Sequence, residues 1–368
     1  MPPPRRSRSG QSRPLEYAAS VHPGLEDVAA REIRDTLRGA HPVEQQRGWT
    51  VFRYPGDAGQ ALRLRTTEDV FVLLYRTDKL PTYRKGALPL VVRMVNSSWF
   101  WEEAMTRFYQ TRRPVKRVTY RVIAQMTGQH GFRRQEVRDA VMVGIQGRWP
   151  RWKPVAEDAH VEIWVAVVGE WAMIGIRLSD RKMRHRTYKG EHRPASLRPS
   201  LAAAMVALSQ PAPEDRFCDP MCGAGTILAE RALHSPYREL IGGDIDPEAL
   251  QAAESNLSNV HYAGDQVLHL WDAVSLPVRT GTLDAIVCNL PFGLQVGSHA
   301  NNQQLYASFF REMVRVLHPG GRAVLLTSEK ELMRDLIQAH PQLVREQELL
   351  IGVLGQAARI YVLRRYDV

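Results

Sequence analysis

Apolar residues in the first half of the chain recur with strand period and with helix period in turn. Between residues 25 and 37, Leu25, Val28, Ile33 and Leu37 predict an amphipathic helix, and Gly39 marks its end. Strands are predicted at 15–21, 48–54, 70–75, 118–126, 161–168 and 171–178, and further helices at 58–64, 99–109 and 135–148. The pattern indicates two α+β units, the first of about ferredoxin-like size over residues 15–78 and the second over 79–180.

From residue 199 the pattern of apolar positions predicts strands that alternate with helices, as a parallel sheet requires. Strands are predicted at 216–219, 240–244, 267–271, 284–289 and 322–328, and helices at 199–209, 226–233, 247–257, 305–317 and 330–339. The last two strands, 346–353 and 359–364, are joined closely and should be antiparallel to each other. Residues 199–368 are therefore expected to form a Rossmann-type α/β domain with a mostly parallel, seven-stranded sheet and a terminal antiparallel hairpin.

The net positive charge of the protein comes entirely from its first half. Residues 1–197 carry 35 Lys and Arg against 20 Asp and Glu, or +15, whereas residues 198–368 carry 14 against 19, or −5. A solvated surface with a basic tail is the simpler explanation, but without the four arginines of the predicted disordered tail, residues 1–14, the charge is still +11. A nucleic acid is therefore the expected partner, and residues 181–198 form a predicted basic linker.

Composition argues against several other classes of protein. The longest apolar-rich stretch, 161–176, contains Glu162 and Glu170 and is too short to span a membrane. The basic, proline-rich N-terminal segment does not resemble a secretory signal. Cys218, Cys222 and Cys288 form no Cys-x-x-Cys pair, so neither a disulfide framework nor a metal site is expected. These observations predict a cytoplasmic protein.

Three predicted strand ends carry groups suited to a nucleoside cofactor. Residues 219–226 lead from a strand into a helix, with glycines where the backbone must approach a ligand closely. Asp244 ends the second strand, where a carboxylate can accept hydrogen bonds from ribose hydroxyls, and Asp272 follows the third, where it can hold an adenine amino group. The candidate cofactor-binding residues are Asp219, Met221, Cys222, Gly223, Ala224, Gly225, Thr226, Asp244, Ile245, Asp272, Ala273 and Asn289.

A dinucleotide-binding dehydrogenase would share the first two of these features. Its Gly-x-Gly-x-x-Gly motif needs a third glycine at the position of Leu228, and none is there. It also has no use for the residues at the end of the fourth strand, which makes this alternative the weaker one.

The fourth strand ends in Asn289-Leu290-Pro291-Phe292, followed by Gly293. The lone pair of a nucleobase amine is delocalised into the ring, so the amine must become more tetrahedral before it attacks a sulfonium methyl. The Asn289 side-chain oxygen and the Leu290 carbonyl can each accept one amine N–H and align that lone pair. Pro291 stiffens the turn, and Phe292 offers a face on which a flipped-out base stacks. These four candidate catalytic residues predict methylation of an exocyclic amine, with a structural Pro-Gly turn as the alternative.

Together these motifs resemble the THUMP-domain tRNA guanine-N2 methyltransferases. In the C-terminal half the resemblance rests on RPASLRPSLA (193–202), DPMCGAGTILAE, GGDID, Asp272 and NLPFG, and in the middle on Phe132-Arg133-Arg134 and the strand pair before Arg181. It implies a ferredoxin-like domain at 15–78, a THUMP RNA-binding domain at 79–180 and an S-adenosylmethionine-dependent methyltransferase domain at 199–368.

The resemblance also implies a substrate and a manner of binding it. The basic first half of a monomer would grip the acceptor stem and 3′ CCA end of tRNA. NLPF-type loops resemble those of enzymes that make N2-methylguanosine at position six, and acidic DPPY-type loops accompany position ten. Because Asn also occurs in enzymes that act on ribosomal RNA or on adenine amines, those targets stay open. The candidate RNA-contacting residues are Arg133, Arg134, Arg181, Lys182, Arg184 and Arg186.

Two alternatives concern what single residues and the whole protein do. Trp99 and Trp101 can either stack on bases or belong to the core, and Tyr306 can either line the substrate pocket or pack. An RNA-binding protein without activity is the second class of function. The intact Gly223, Gly225, Asp244, Asp272 and Asn289 argue against it, because an inert copy has no physical need for that set.

Overall fold

The computed structural model describes residues 15–191, 193, 196–260, 264–292, 299–353 and 356–367. The predicted tail, residues 1–14, and Gly293 lie outside the described residues. The strands of the first half are β1 (Glu16–Val21), β2 (His41–Gln46), β3 (Trp49–Arg53), β4 (Thr67–Thr77), β5 (Thr119–Thr127), β6 (Lys153–Pro154), β7 (Val161–Val168) and β8 (Trp171–Arg177). Its helices are α1 (Glu26–Thr36), α2 (Ala58–Ala61), α3 (Arg84–Asn96), α4 (Trp101–Thr111) and α5 (Arg134–Arg148).

These eight strands join in one mixed sheet in the order β2-β3-β1-β4-β8-β7-β5-β6. Neighbours are antiparallel from β2 through β7, whereas β5 runs parallel to both β7 and β6. One apolar core that includes Phe52, Trp101 and Ile163 continues across the sheet. The predicted boundary between residues 78 and 79 thus falls within a continuous sheet and core, and the ferredoxin-like and THUMP assignments stay predictions.

A short helix, α6 (Arg181–His185), lies in the predicted linker, before the alternating elements of the second half. The remaining helices are α7 (Pro199–Leu208), α8 (Thr226–His234), α9 (Pro247–Ser258), α10 (His299–Val316) and α11 (Lys330–Ala339). The strands are β9 (Arg216–Asp219), β10 (Glu239–Asp244), β11 (Asp265–Leu270), β12 (Leu283–Asn289), β13 (Leu317–Thr327), β14 (Leu343–Val353) and β15 (Gln356–Arg365). Within the described ranges, no helix of either half has the length and apolar character that crossing a membrane requires.

The second sheet has the order β11-β10-β9-β12-β13-β15-β14. Strands β11, β10, β9, β12 and β13 are parallel, and β15 is antiparallel to both β13 and β14. Helices α7, α8 and α9 contribute to the core on one face, and α10 and α11 to the core on the other. The predicted Rossmann-type sheet with a terminal antiparallel hairpin is confirmed.

Helix α1 of the first half docks directly on the second half. Leu25, which is fully buried, and Val28 belong to the same apolar core as Leu201 and Met205 of α7. The turn before the helix also lies against β14, since a Cβ on Gly24 would come within 2.2 Å of the Leu350 carbonyl oxygen. Shared core and backbone contact hold the two halves together.

A buried carboxylate on α8 adds a polar connection between the halves. The Glu230 side chain has no exposed surface, and its carboxylate accepts from Arg65 Nε at 2.7 Å, Arg186 Nε at 3.2 Å and the Tyr188 hydroxyl at 2.7 Å. Arg186 also donates to the Arg65 carbonyl oxygen at 2.6 Å. The first half, the linker and α8 therefore meet at one charge.

The structure contains elements that the pattern of the sequence did not predict. Helix α3 carries Pro89 in its interior, a residue that normally ends a helix. Strand β2 is an edge strand whose residues alternate between exposed and half-buried, so it lacks an apolar signature. Strand β6 has only two residues, and α6 lies in a segment whose charges suggested a linker alone.

Removing the Glu230 carboxylate is expected to destabilise the protein. Glu230→Ala would leave the guanidiniums of Arg65 and Arg186 without their shared counter-charge, which typically costs about 3 kcal/mol or more at a buried site. Glu254→Ala, an exposed change on neighbouring α9, should change the free energy of unfolding by no more than about 0.5 kcal/mol. Denaturant unfolding of both variants measures the difference, and equal stabilities would contradict the role of Glu230.

Candidate active site

The predicted cofactor residues lie where β9, β10 and β11 end, beside the end of β12. Since β9 lies between β10 and β12 and all four strands are parallel, their carboxyl ends share one edge of the sheet. The structure therefore brings Asp219, Asp244, Asp272 and Asn289 to one crevice, as their positions in the sequence predicted.

The glycine loop between β9 and α8 takes a backbone path that favours glycine. Gly223 and Gly225 have φ values of +51° and +72°. A Cβ on Gly225 would lie 3.1 Å from Ala253 Cβ on α9, whereas one on Gly223 would meet no atom within 4 Å. The loop is closely packed at Gly225 and open to a ligand at Gly223.

The Asp244 carboxylate is held by the backbone on both sides of the crevice. Its Oδ2 accepts from the Gly223 N–H at 2.8 Å, and its Oδ1 accepts from the Asp246 N–H at 3.0 Å. The side chain of Ile245, next in the chain, is 69% exposed. A fixed carboxylate beside an exposed apolar side chain provides a polar contact for a ribose and an apolar surface for a base.

Trp271 connects the third strand end with the glycine loop. Its Nε1 donates to the Pro220 carbonyl oxygen at 3.0 Å, and its ring fills the space where a side chain on Gly243 would lie, since a Cβ there would be 1.9 Å from the ring. Asp272, the next residue, is exposed and accepts at Oδ1 from the Val274 N–H at 3.1 Å. Trp271 thus sets the position of Asp272 relative to the loop, a role that the sequence did not reveal.

Asp219 lies beneath the crevice and is almost completely buried. Burial raises its pKa to about 8, and the nearby Asp244 carboxylate acts in the same direction, while hydrogen bonds from the Met221 N–H and the Cys288 thiol oppose the shift. The raised pKa means that the Asp219 carboxyl is mostly protonated near neutral pH. It is therefore a support for the loop rather than an exposed charge for a ligand.

The loop that follows β12 presents one unsatisfied acceptor. Asn289 Oδ1 is buried and has no hydrogen-bond partner among the residues that the structure describes. The Leu290 N–H is used in the sheet, donating to the Leu326 carbonyl oxygen at 3.0 Å, and Phe292 is half-buried against the core of the second half. A buried acceptor without a donor costs free energy, which a ligand N–H would recover.

The backbone of this loop is fixed from α10. The Pro291 carbonyl oxygen accepts from the Tyr306 hydroxyl at 2.7 Å and from Asn302 Nδ2 at 2.9 Å. The same Tyr306 hydroxyl lies 2.8 Å from Thr327 Oγ1, and Asn302 also donates to Glu329 Oε1 at 3.2 Å. Of the two roles considered for Tyr306, the structure shows packing against the loop backbone, and it adds Asn302, which the sequence reasoning missed.

The linker passes over the glycine loop and is fastened there by Asn256 of α9. The Asn256 side chain donates to the Ala224 carbonyl oxygen at 2.9 Å and to the Glu191 carbonyl oxygen at 3.2 Å, and it accepts from the Glu191 N–H at 2.9 Å. Arg193 pairs with Asp246 close by. Only the fold could show this contact, because residues 191 and 256 are far apart in the chain.

The candidate RNA-contacting residues fall into two groups. Arg133, Arg134, Arg181 and Lys182 are exposed. Arg184 is about one-third exposed, pairs with Asp69 and lies 5.7 Å over the Trp164 ring. The Arg186 side chain is 8% exposed and bound to Glu230, so the structure places it between the two halves and not on a surface.

The two tryptophans for which two roles were considered differ in their exposure. Trp101 is fully buried, whereas Trp99 is 85% exposed. A core position is therefore observed for the first and a surface position for the second.

Comparison with known proteins adds independent findings. Residues 186–356 match the family described as RMKL-like, methyltransferase domain. The chain is similar to the tRNA (guanine(6)-N(2))-methyltransferase THUMP3 of Bos taurus, with 35% identity over 228 residues, covering 58% of this chain and 45% of that protein. It is also similar to the tRNA (guanine(6)-N2)-methyltransferase of Thermus thermophilus, with 28% identity over 359 residues, covering 94% of this chain and 98% of that protein.

The likeness extends to a solved structure. The crystal structure of TrmN from Thermus thermophilus matches with a TM-score of 0.75 and 26% identity, covering 95% of this chain and 99% of that chain. The chain spans about half the length of its mammalian relatives and nearly all of the Thermus protein.

The raised pKa of Asp219 predicts how stability depends on pH. The folded carboxyl holds its proton up to about pH 8, whereas an unfolded Asp releases it near pH 4. Between these values the folded state binds more protons, so stability falls as pH rises, by up to about 1.4 kcal/mol per pH unit. Denaturant unfolding between pH 5 and 8 should show this decline in the wild type relative to Asp219→Asn, and parallel curves would contradict it.

Proposed function

We propose, from the match of residues 186–356 to the RMKL-like methyltransferase domain, that the protein methylates the N2 amine of a guanosine in tRNA with S-adenosylmethionine. Position six of the acceptor stem is the proposed target. The relatives named tRNA (guanine(6)-N2)-methyltransferase support that choice, and so does the NLPF form of the loop.

The unsatisfied Asn289 oxygen is the observation that carries the proposal. It lies at the end of β12, next to the Leu290 carbonyl, and the two acceptors match the two N–H bonds of an exocyclic amine. Tyr306 and Asn302 both donate to the Pro291 carbonyl oxygen, which fixes the backbone just after the two acceptors. Accepting both N–H bonds turns the nitrogen lone pair away from the ring and toward the methyl group.

The crevice fits S-adenosylmethionine, which when bound supplies an electrophilic methyl group on a sulfonium. The open side of Gly223 leaves room for a ligand against the loop, and the Asp244 carboxylate is positioned for ribose hydroxyls. The exposed Ile245 and Asp272 are suited to the apolar face and the amino group of adenine.

In the proposed reaction, the residues of this chain act by positioning the guanine and its amine. The amine that Asn289 and Leu290 orient would take the methyl group and gain a positive charge. Asn289 is not a base, so its role is to orient the amine, and the surplus proton leaves to water or to a neighbouring group. Half-buried Phe292 provides the face on which the guanine is held during transfer.

We assign tRNA binding to the basic first half, working as a monomer in the cytoplasm, with the acceptor stem and 3′ CCA end as the bound parts. The net charge of +15 on residues 1–197 supports this division of labour. Of the six candidate residues, Arg133, Arg134, Arg181 and Lys182 have exposed side chains, and Arg184 is partly accessible. Arg186 is left out because its guanidinium is buried against Glu230.

Mass spectrometry of RNA nucleosides, with the modified site mapped, tests the proposal in cells with and without this gene. The expected result is loss of N2-methylguanosine at position six of tRNA in the deletion strain. Loss at position ten or in ribosomal RNA would overturn the target while keeping the chemistry. An unchanged set of methylated nucleosides would support the inactive RNA-binding alternative.

A substitution at the loop tests the mechanism. Asn289→Ala removes one of the two amine acceptors and is expected to lower the single-turnover rate by about 10²- to 10³-fold, as for other lost transition-state contacts. The affinity for tRNA should change little, because most of the binding comes from the first half. Asn259→Ala, at the end of α9, is the control and should react normally. A normal rate in Asn289→Ala would exclude the proposed alignment.

A further inference from the structure

A second basic surface lies on the first half, away from the candidate residues considered so far. The chain has no Asp or Glu from residue 104 to 135, nor from 140 to 156. Two stretches within these ranges are rich in cations, residues 113–118 before β5 and residues 148–153 from the end of α5 to β6. Neither stretch was singled out by the motifs of the sequence.

The fold brings these two stretches side by side. The Lys153 N–H donates to the Val118 carbonyl oxygen at 3.1 Å, and Thr119 pairs with Lys153 in the ladder between β5 and β6. Six exposed cations are thereby gathered at one corner: Arg113, Lys116, Arg117, Arg148, Arg151 and Lys153. We call this set, together with Trp99, the basic corner.

Trp99 belongs to the same corner because of its chain neighbours. Before it, Asn96 ends α3 against α5, since a Cβ on Gly147 would lie 2.7 Å from Asn96 Nδ2. After it, the Trp101 ring lies 6.1 Å from the Trp149 ring and 5.7 Å from the Trp152 ring. Trp99 itself is 85% exposed, so its indole is available to a ligand.

Among the described residues, the cations of the basic corner have no acidic partner. The structure shows no salt bridge from any of the six to the acidic side chains that it describes, and the Arg148 guanidinium lies 5.6 Å from the centre of the Trp149 ring. Like charges held together repel one another, and the phosphates of a bound polyanion offset that repulsion. The counterions that the polyanion releases as it binds also favour binding. An exposed indole among such cations adds a surface for a planar, unpaired base.

The corner is remote from the crevice. Strand β6 is the edge of the first sheet, and three strands, β8, β7 and β5, separate it from β4. With strands about 4.8 Å apart, β6 is roughly 19 Å from β4, whose N-terminal end follows Arg65, the residue that contacts Glu230. A ligand that occupies both sites must therefore be a large one.

We propose that the basic corner is a second RNA-contact surface, which binds the substrate at a distance from the methylated base. Its cations hold phosphates, and Trp99 stacks on an unpaired base. The identity of that RNA as the enzyme's substrate rests on the proposed function, but the binding of RNA at this corner does not. The combination of cations and an exposed aromatic ring favours a nucleic acid over an acidic protein, because only the nucleic acid offers both phosphates and ring faces.

Binding of an unmodified tRNA transcript by the full-length protein, measured over a series of salt concentrations, tests this proposal. Trp99→Ala is expected to weaken binding about tenfold, as for the loss of one stacked base, and Trp99→Phe should retain most of the affinity. Arg148→Gln with Arg151→Gln should lower the slope of log affinity against log salt by about two.

The matched control removes two arginines from the other half. Arg311→Gln with Arg334→Gln takes away the same charge from exposed positions on α10 and α11 and should leave both affinity and slope unchanged. A merely structural role of the corner would not alter the salt slope. Wild-type affinity and slope in the corner variants would overturn the proposal, and so would equal competition by polyglutamate, which carries charge without bases.

The two proposals can fail separately. If tRNA binds through the corner but no N2-methylguanosine forms, the proposed function is wrong and the surface stands. If N2-methylguanosine forms and the corner variants bind tRNA like the wild type, the surface is wrong and the proposed function stands.

Discussion

The buried carboxylate of Glu230 fixes the two halves of this protein in one arrangement. A lone charge at that position would be costly to desolvate, so it requires Arg65 of the first half and Arg186 and Tyr188 of the linker. Glu230 lies on the first turns of α8, which begins at the glycine loop. The basic first half and the crevice therefore share one connection, through which a bound RNA would be presented to the loop after β12 under the proposed function.

Within the crevice, side-chain hydrogen bonds likewise hold the backbone in place. Asp244 ties the glycine loop to β10, Trp271 ties it to the end of β11, and Tyr306 holds the backbone after β12. The exception is Asn289, whose oxygen is buried without a donor among the described residues. Under the proposed function, this oxygen and the Leu290 carbonyl are the two acceptors for one exocyclic amine. The proposed methyl transfer would therefore depend on orientation, with no side chain that must act as a strong base.

The alternation of strands and helices made the second half easy to predict, because strands buried on both faces give strong apolar signals. The first half was harder. Pro89 hid α3, and the exposed positions of β2 hid an edge strand, because tertiary packing outweighs local preference in both cases. Trp99 and Trp101 were indistinguishable in sequence, yet Trp99 lies before α4 and is exposed, whereas Trp101 is the first residue of α4 and is buried.

By itself the sequence determined the Rossmann-type sheet and the positions of Asp244 and Asn289, because parallel strands that carry polar residues at their ends must present them at one edge. The tertiary structure alone decided which charges are free. It buried Arg186 against Glu230 and brought residues 113–118 beside 148–153 at an open corner. Contacts such as that of Arg65 with Glu230 join residues 165 positions apart, and no local pattern encodes them. The sequence thus placed the polar residues of the crevice, and the packing of the two halves decided which basic side chains stay exposed.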